Sequence, residues 1–184
     1  VVAALFTCLA VPAQAVTVIG NDPPRAVTPQ QMEQALRQMA FIGNDDSPFD
    51  LSAILDNGRP TLITLWAHWC AVCQAEMVGF RELARKCGDA LNVVFVSSRV
   101  SDYAADLKKF RSYGLPWQMV GVARSMLADA SSYAVYRAFS GITRDGSVVT
   151  PMHYFVAANG KLDTILFTPV DFSTPESVAT ACGR

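Results

Sequence analysis

Two cysteines separated by two residues, Cys70 and Cys73, are the side chains of this sequence whose type and spacing carry chemistry. At that spacing two sulfurs close an intramolecular disulfide across the first turn of a helix. The apolar run Thr61-Leu62-Ile63-Thr64-Leu65-Trp66 just before them reads as the buried strand that delivers the chain to that turn. A helix opening at Cys70 sets its unpaired N–H groups and positive dipole end beside the first sulfur, which favours the thiolate and makes Cys70 the attacking thiol. Cys73, one turn deeper, is then the resolving thiol that breaks a mixed disulfide on Cys70. The same spacing supplies half of many zinc sites, but the other candidate ligands, Cys8, Cys87, Cys182, His68 and His153, form no second close pair. Redox chemistry is therefore expected at the pair, with no metal and no other cofactor.

The chain has 184 residues, 51% hydrophobic and 17% charged, enough for one globular core. A net charge of -1 and the lack of any Lys/Arg-rich run leave nothing to hold a phosphate backbone, so no nucleic-acid partner is expected. Residues 1–15 read as the remnant of an export signal, an apolar stretch over residues 1–11 followed by the small-x-small site Ala13-Gln14-Ala15. The run meets Pro12 and Gln14 well short of the about 20 apolar residues a spanning helix needs, so the mature chain is expected to start near Val16 with no membrane span. Acylation of Cys8 is the lesser alternative, since bulky Phe6 stands where small residues usually precede an acylated cysteine. Without Cys8 four cysteines remain. Cys87 and Cys182 either bridge a central helix to the C-terminus, or Cys87 packs as a buried thiol on the stripe Cys73, Met77, Phe80, Ala84, Cys87.

The pair needs a strand behind it and a helix after it, and the surrounding elements follow from pattern. Residues 16–48 form an N-terminal extension with one short helix, capped by Thr28, opened by Pro29 and facing Met32, Leu36 and Met39 inward. Residues 49–55 read as strand or turn, Asn57-Gly58-Arg59-Pro60 as a turn, and residues 61–66 as the central strand. The helix of the pair runs from Cys70 to about Lys86 and stops at Gly88. Residues 91–97 are a short apolar run suited to a parallel strand buried on both faces. A helix over residues 102–113 is capped by Ser101, buries Tyr103, Leu107 and Phe110, and ends at Gly114. Residues 117–121 form a short strand and residues 125–139 a helix with Tyr133, Tyr136 and Phe139 in the core. Residues 153–157 and 162–167 flank the turn Ala158-Asn159-Gly160-Lys161 as a hairpin, and Thr174 with Pro175 opens a terminal helix.

The run Trp66-Ala67-His68-Trp69-Cys70-Ala71-Val72-Cys73-Gln74-Ala75-Glu76-Met77 resembles the WAxWCxxCxxEM signature of the TlpA/ResA-type thioredoxin-like proteins, which are exported thiol-disulfide oxidoreductases. Thr150-Pro151 followed by Gly160 is similar to that family's proline, apolar strand and turn glycine, and the segment between Val100 and Ile142 is similar in element order to its helix-containing central insertion. The likeness starts at about Phe49 and leaves the extension outside it. It implies an α/β, thioredoxin-like fold over residues 49–184, a central mixed β-sheet flanked by helices. It also implies that Pro151 is a cis-proline lying against the disulfide and that Thr150 offers backbone hydrogen bonds to an extended substrate segment, its hydroxyl placed to donate to the Cys70 thiolate. Trp69 becomes a lid beside the disulfide, and His68 an exposed loop residue. Glu76 matches a glutamate that some members keep near the disulfide, as a proton shuttle for Cys73 or as a solvated helix carboxylate. Two departures stand out. Thr64 occupies the place where thioredoxin proper has a buried aspartate that helps deprotonate its resolving cysteine, which shifts that task to Glu76 or water. Val78 replaces a proline that kinks the helix, so a straighter helix is expected here.

The leading expectation is a periplasmic protein dithiol-disulfide oxidoreductase. It reduces client proteins of the cytochrome c or oxidase copper-site maturation type and is recharged by a membrane thiol carrier. A dithiol oxidant uses the same residues in the opposite direction. The other class is a Cu(I) chaperone holding the ion with Cys70, Cys73 and a histidine such as His153, because soft thiolates select Cu(I). Against it, copper-delivery proteins of this fold place three residues between their cysteines, and a strand histidine beside Pro151 is expected in a substrate groove or at the surface.

Overall fold

Residues Thr61–Trp66 form strand β4, buried along its whole length, as an apolar run covered on both faces must be. The computed structural model describes residues 16–19, 27–142, 147, 149–172, 174, 178 and 181–182. Strand β5 (Asn92–Ser97) pairs with β4 in parallel, and β6 (Gln118–Val122) continues in parallel beyond it. On the other side β7 (Met152–Val156) runs antiparallel to β4, and β8 (Leu162–Leu166) closes the expected hairpin. Three short strands finish the sheet: β1 (Thr17–Ile19) parallel to β8, and β2 (Phe41–Ile42) and β3 (Pro48–Phe49) antiparallel beyond β6. The order is β1-β8-β7-β4-β5-β6-β2-β3, a mixed sheet of thioredoxin-like character. Strands at Thr17–Ile19, Phe41–Ile42 and Pro48–Phe49, nearly all from the N-terminal extension, thus form both edges of the sheet.

Alternation along the strands sends successive side chains to opposite faces. Ile63 and Leu65 pack into one layer with α1 (Pro29–Gln38), α2 (Leu51–Leu55) and α6 (Ala130–Ser140). Leu62 and Trp66 pack into the other, with α3 (Ala71–Ala75), α4 (Met77–Cys87) and α5 (Tyr103–Arg111). The start of α1 follows the sequence closely: Thr28 caps it, Pro29 opens it, and Gln31 bonds back to the Thr28 N–H to complete a capping box.

Four expectations are corrected. Residues 49–55 are not strand or turn throughout; Asp50 accepts the Ala53 N–H at 3.1 Å and caps α2, a helix too short to show a period. Ser101 does not cap α5, which begins after a 3-10 turn over Val100–Asp102, and the Ser101 hydroxyl bonds Asp102 instead. Tyr133 is exposed, whereas Tyr136 and Phe139 are in the core. The helix of the cysteine pair is not continuous. It breaks at Glu76 into α3 and α4 without a proline, because the Trp66 indole N–H donates to the Cys73 carbonyl at 3.1 Å. That carbonyl would take the Met77 N–H in an unbroken helix, and a side chain inserted into the ladder bends it.

The expected export signal, Cys8 included, and Pro175 at the head of the terminal helix lie outside the described residues. Among the described residues no helix is long and apolar enough to cross a membrane.

Candidate active site

Cys70 sits at the end of the short loop leaving β4 and is the N-cap of α3. Its Sγ accepts the Cys73 N–H at 3.1 Å while its carbonyl accepts the Gln74 N–H at 3.1 Å. The two sulfurs are joined, with Cα atoms 5.3 Å apart. Cys70 is 7% exposed and Cys73 fully buried, so Cys70 is the half of the pair that keeps any exposure. Opening the bond leaves the Cys70 thiolate facing that same N–H, which stabilises it.

Facing the disulfide is the turn before β7. The Thr150–Pro151 peptide bond is cis, and the Thr150 carbonyl oxygen lies 3.9 Å from Cys70 Sγ. The Thr150 hydroxyl does not serve Cys70. It donates to the Leu65 carbonyl at 3.0 Å and lies 3.2 Å from Cys73 Sγ. With its one proton committed to Leu65, it is an acceptor for a Cys73 thiol.

The loop before Cys70 is clamped from the start of α5. Asp106, fully buried, accepts both the backbone N–H of His68 at 2.7 Å and the Ser97 hydroxyl at 2.6 Å, and the His68 Nδ1 lies 2.6 Å from it. Asp102 accepts the Trp69 indole N–H at 2.9 Å, and the Arg99 guanidinium stands over the Trp69 ring at 4.8 Å. Burial pushes the Asp102 carboxyl up, but the bonds from Trp69 and Ser101 and the nearby Arg99 and His68 outweigh it, leaving the group below its ordinary 3.8. His68 is therefore a tethered part of the site, not a bare loop residue. The sequence carried a sign of this: Asp106 falls on the inner face shared by Tyr103, Leu107 and Phe110, where an acidic residue needs a partner.

Glu76 is only 6% exposed and so is not a solvated carboxylate. Its Oε1 accepts the Val170 N–H at 2.7 Å and lies 3.1 Å from His153 Nε2, and His153 Nδ1 lies 3.2 Å from Thr64 Oγ1. His153 was expected in a groove or at the surface. It is 0% exposed, since its place in β7 opposite Thr64 turns it toward the α3 and α4 layer. Beside α3 runs a groove of about 370 Å³ lined by Val72, Glu76, Val78, Val170, Asp171 and Phe172 among others. Trp69, Val72 and Val78 present exposed apolar surface near Cys70. Far from this site, Cys87 at the end of α4 is bonded to Cys182.

A mixed sheet with a disulfide at the N-terminus of the helix following its central strand, faced by a cis-proline, defines the thioredoxin-like class. The chain belongs to the AhpC/TSA family, whose model matches residues 32–165. It is 33% identical over 66 residues to the thiol:disulfide interchange protein TxlA homolog of Synechocystis sp., a match covering 36% of this chain. The chain spans about 37% of the length of that curated relative. Among solved structures it is similar to a thioredoxin-family thiol:disulfide interchange protein from Chlorobium tepidum TLS, with a TM-score of 0.57 and 19% identity over 78% of this chain and 92% of that one. It is also similar to a secreted Mycobacterium tuberculosis disulfide oxidoreductase homologous to E. coli DsbE, with a TM-score of 0.56 and 20% identity over 85% of this chain and 98% of that one.

Proposed function

We propose that the chain is an exported protein thiol-disulfide oxidoreductase that reduces disulfides in client proteins. The observation that carries this reading is the Cys70–Cys73 disulfide, with Cys70 on a helix N-cap keeping the pair's slight exposure and Cys73 fully buried. In the reducing direction the Cys70 thiolate attacks a client disulfide and expels one client sulfur. Cys73 then attacks Cys70, and the second client thiol leaves. Trp69, Val72 and Val78 supply apolar surface for the client, and the Thr150 carbonyl supplies an acceptor beside the reacting sulfur. Apocytochrome c and oxidase copper-site precursors are the client types this reading favours, with a membrane thiol carrier restoring the dithiol.

Export is supported by the second disulfide, Cys87–Cys182, since such bonds persist in oxidising compartments, and by the apolar residues 1–11 with the site at residues 13–15. The copper reading has less behind it. Both ring nitrogens of His153 face Thr64 and Glu76, and the described residues hold no cluster of three side chains suited to a metal ion.

The test is insulin reduction with dithiothreitol as donor. Cys70→Ser is expected to abolish it, and Cys73→Ser to trap client on Cys70 as a mixed disulfide visible by mass. A glutathione titration then sets the direction. A potential near about −270 mV marks a reductant and one near about −120 mV an oxidant.

A further inference from the structure

The buried chemistry beneath the disulfide includes a pair that the exchange mechanism above does not use. Taking Glu76 as the acceptor of the Cys73 proton, as the resemblance implies, we propose that His153 is the positioning residue that holds the Glu76 carboxyl for that transfer. The inference rests on the thiol-disulfide exchange reading and deepens it.

Three observations converge. Thr64 has no ionisable group at the place where thioredoxin proper has its buried aspartate, yet its hydroxyl lies 3.2 Å from His153 Nδ1. A neighbouring strand therefore brings a titratable ring to the position that the sequence left empty. Next, the imidazole and carboxylate lie 3.1 Å apart and both are withdrawn from water, so the ring fixes where the carboxyl sits. Finally, Glu76 Oε1 has the Val170 N–H and His153, while Oε2 is buried with no hydrogen-bond partner among the described residues. An unfilled carboxylate oxygen in the interior is costly unless it serves a purpose. Glu76 follows Cys73 by three residues, a spacing that brings side chains together on one helical face. The groove of about 370 Å³ that Glu76 lines gives the pair a way to exchange its proton with solvent.

The step balances as follows. With the client sulfur bonded to Cys70, the Cys73 thiol gives its proton to Glu76, directly or through one water. The Cys73 thiolate attacks Cys70 Sγ, the Cys70–Cys73 bond forms, and the Cys70–client bond breaks. The electron pair leaves on the client sulfur, which is protonated from solvent, and the pair returns its proton through the groove. The titratable and charged groups facing His153 are few. Glu76 comes from the junction of α3 and α4. Asp171 lines the same groove at its rim. From β4 and β8 come Thr64 and Leu166, and the rings of Phe80 and Phe172 flank the imidazole.

The test uses the whole reduced protein and dithiobisnitrobenzoate, whose two releases of thionitrobenzoate separate the two thiols in time. The first release reports attack by Cys70 and the second reports resolution by Cys73. His153→Gln is expected to slow the second release by at least about tenfold, to remove a step from its pH profile, and to spare the first. Glu76→Gln is expected to do the same. Absence of the first release in the wild-type protein defeats the oxidoreductase reading itself. A normal first release with a second whose pH profile matches wild type in His153→Gln overturns the pair's role, as does an equal fall in both phases. Should His153→Gln not fold, wild-type protein still decides the matter. The chain has two histidines, so the NMR titration of the His153 ring is assigned by difference from His68→Gln. A curve that differs between the disulfide and dithiol forms supports this role, and superimposable curves refute it.

Discussion

Each sulfur of the disulfide has its own polar neighbour. The Cys73 N–H serves Cys70, and the Thr150 hydroxyl serves Cys73. Replacing Thr150 by Val keeps the shape but takes the acceptor away from the Cys73 thiol, which stabilises the dithiol by about 0.5–1.5 kcal/mol when present. The glutathione equilibrium of Thr150→Val is expected to shift toward the disulfide by about two- to tenfold. Trp69 gives a second prediction. Because the Asp102 carboxyl is held below its ordinary 3.8 in the folded protein, its stabilising effect is complete above that value and fades as pH falls through the lower folded one. Acidification below 3.8 should therefore release the indole, read as a change in Trp69 fluorescence that Asp102→Asn shows already at neutral pH. The disulfide pair was legible in the sequence because its signature is local, and the cis bond at Pro151 through the family resemblance. The partners of Glu76 were not. His153 and Val170 are distant in the chain, and only strand register and a turn bring them to the carboxylate.

Among the elements, the break between α3 and α4 falls at Glu76. Gly79 just beyond it lets the segment carrying Phe172 lie against the helix. A Cβ built at Gly79 would sit 2.9 Å from Phe172 Cβ and 3.1 Å from its backbone nitrogen. Gly79→Ala gains about 1 kcal/mol of helix propensity and loses about 1–3 kcal/mol to overpacking. A net destabilisation of up to about 2 kcal/mol is expected, measured as a lower urea midpoint with an unchanged slope. Long strands and the capped α1 were readable from period and cap chemistry. The break was not, because the tryptophan whose indole donates to the Cys73 carbonyl lies seven residues upstream of that cysteine and no proline marks it. The same holds for α2, β2 and β3, which are too short to show a period.

At the scale of the molecule, the sequence showed the strand and helix order of the thioredoxin-like core but not that the N-terminal segment completes the sheet. Two-residue strands are held by tertiary pairing, which leaves no pattern behind. The Cys87–Cys182 bond closes a loop with a sequence separation of 95, and a loop of that size is worth about 4–5 kcal/mol. The Cys87→Ser, Cys182→Ser double variant is expected to lose stability of that order in denaturant titration while keeping its insulin-reducing activity at low temperature. Both bridges are anchored on the run of α3 and α4, at opposite ends. The residues between Cys70 and Cys87 put about 25 Å of helix axis between them. A sulfur liberated at the upper end therefore lies out of bonding reach of the lower bridge in the same folded molecule.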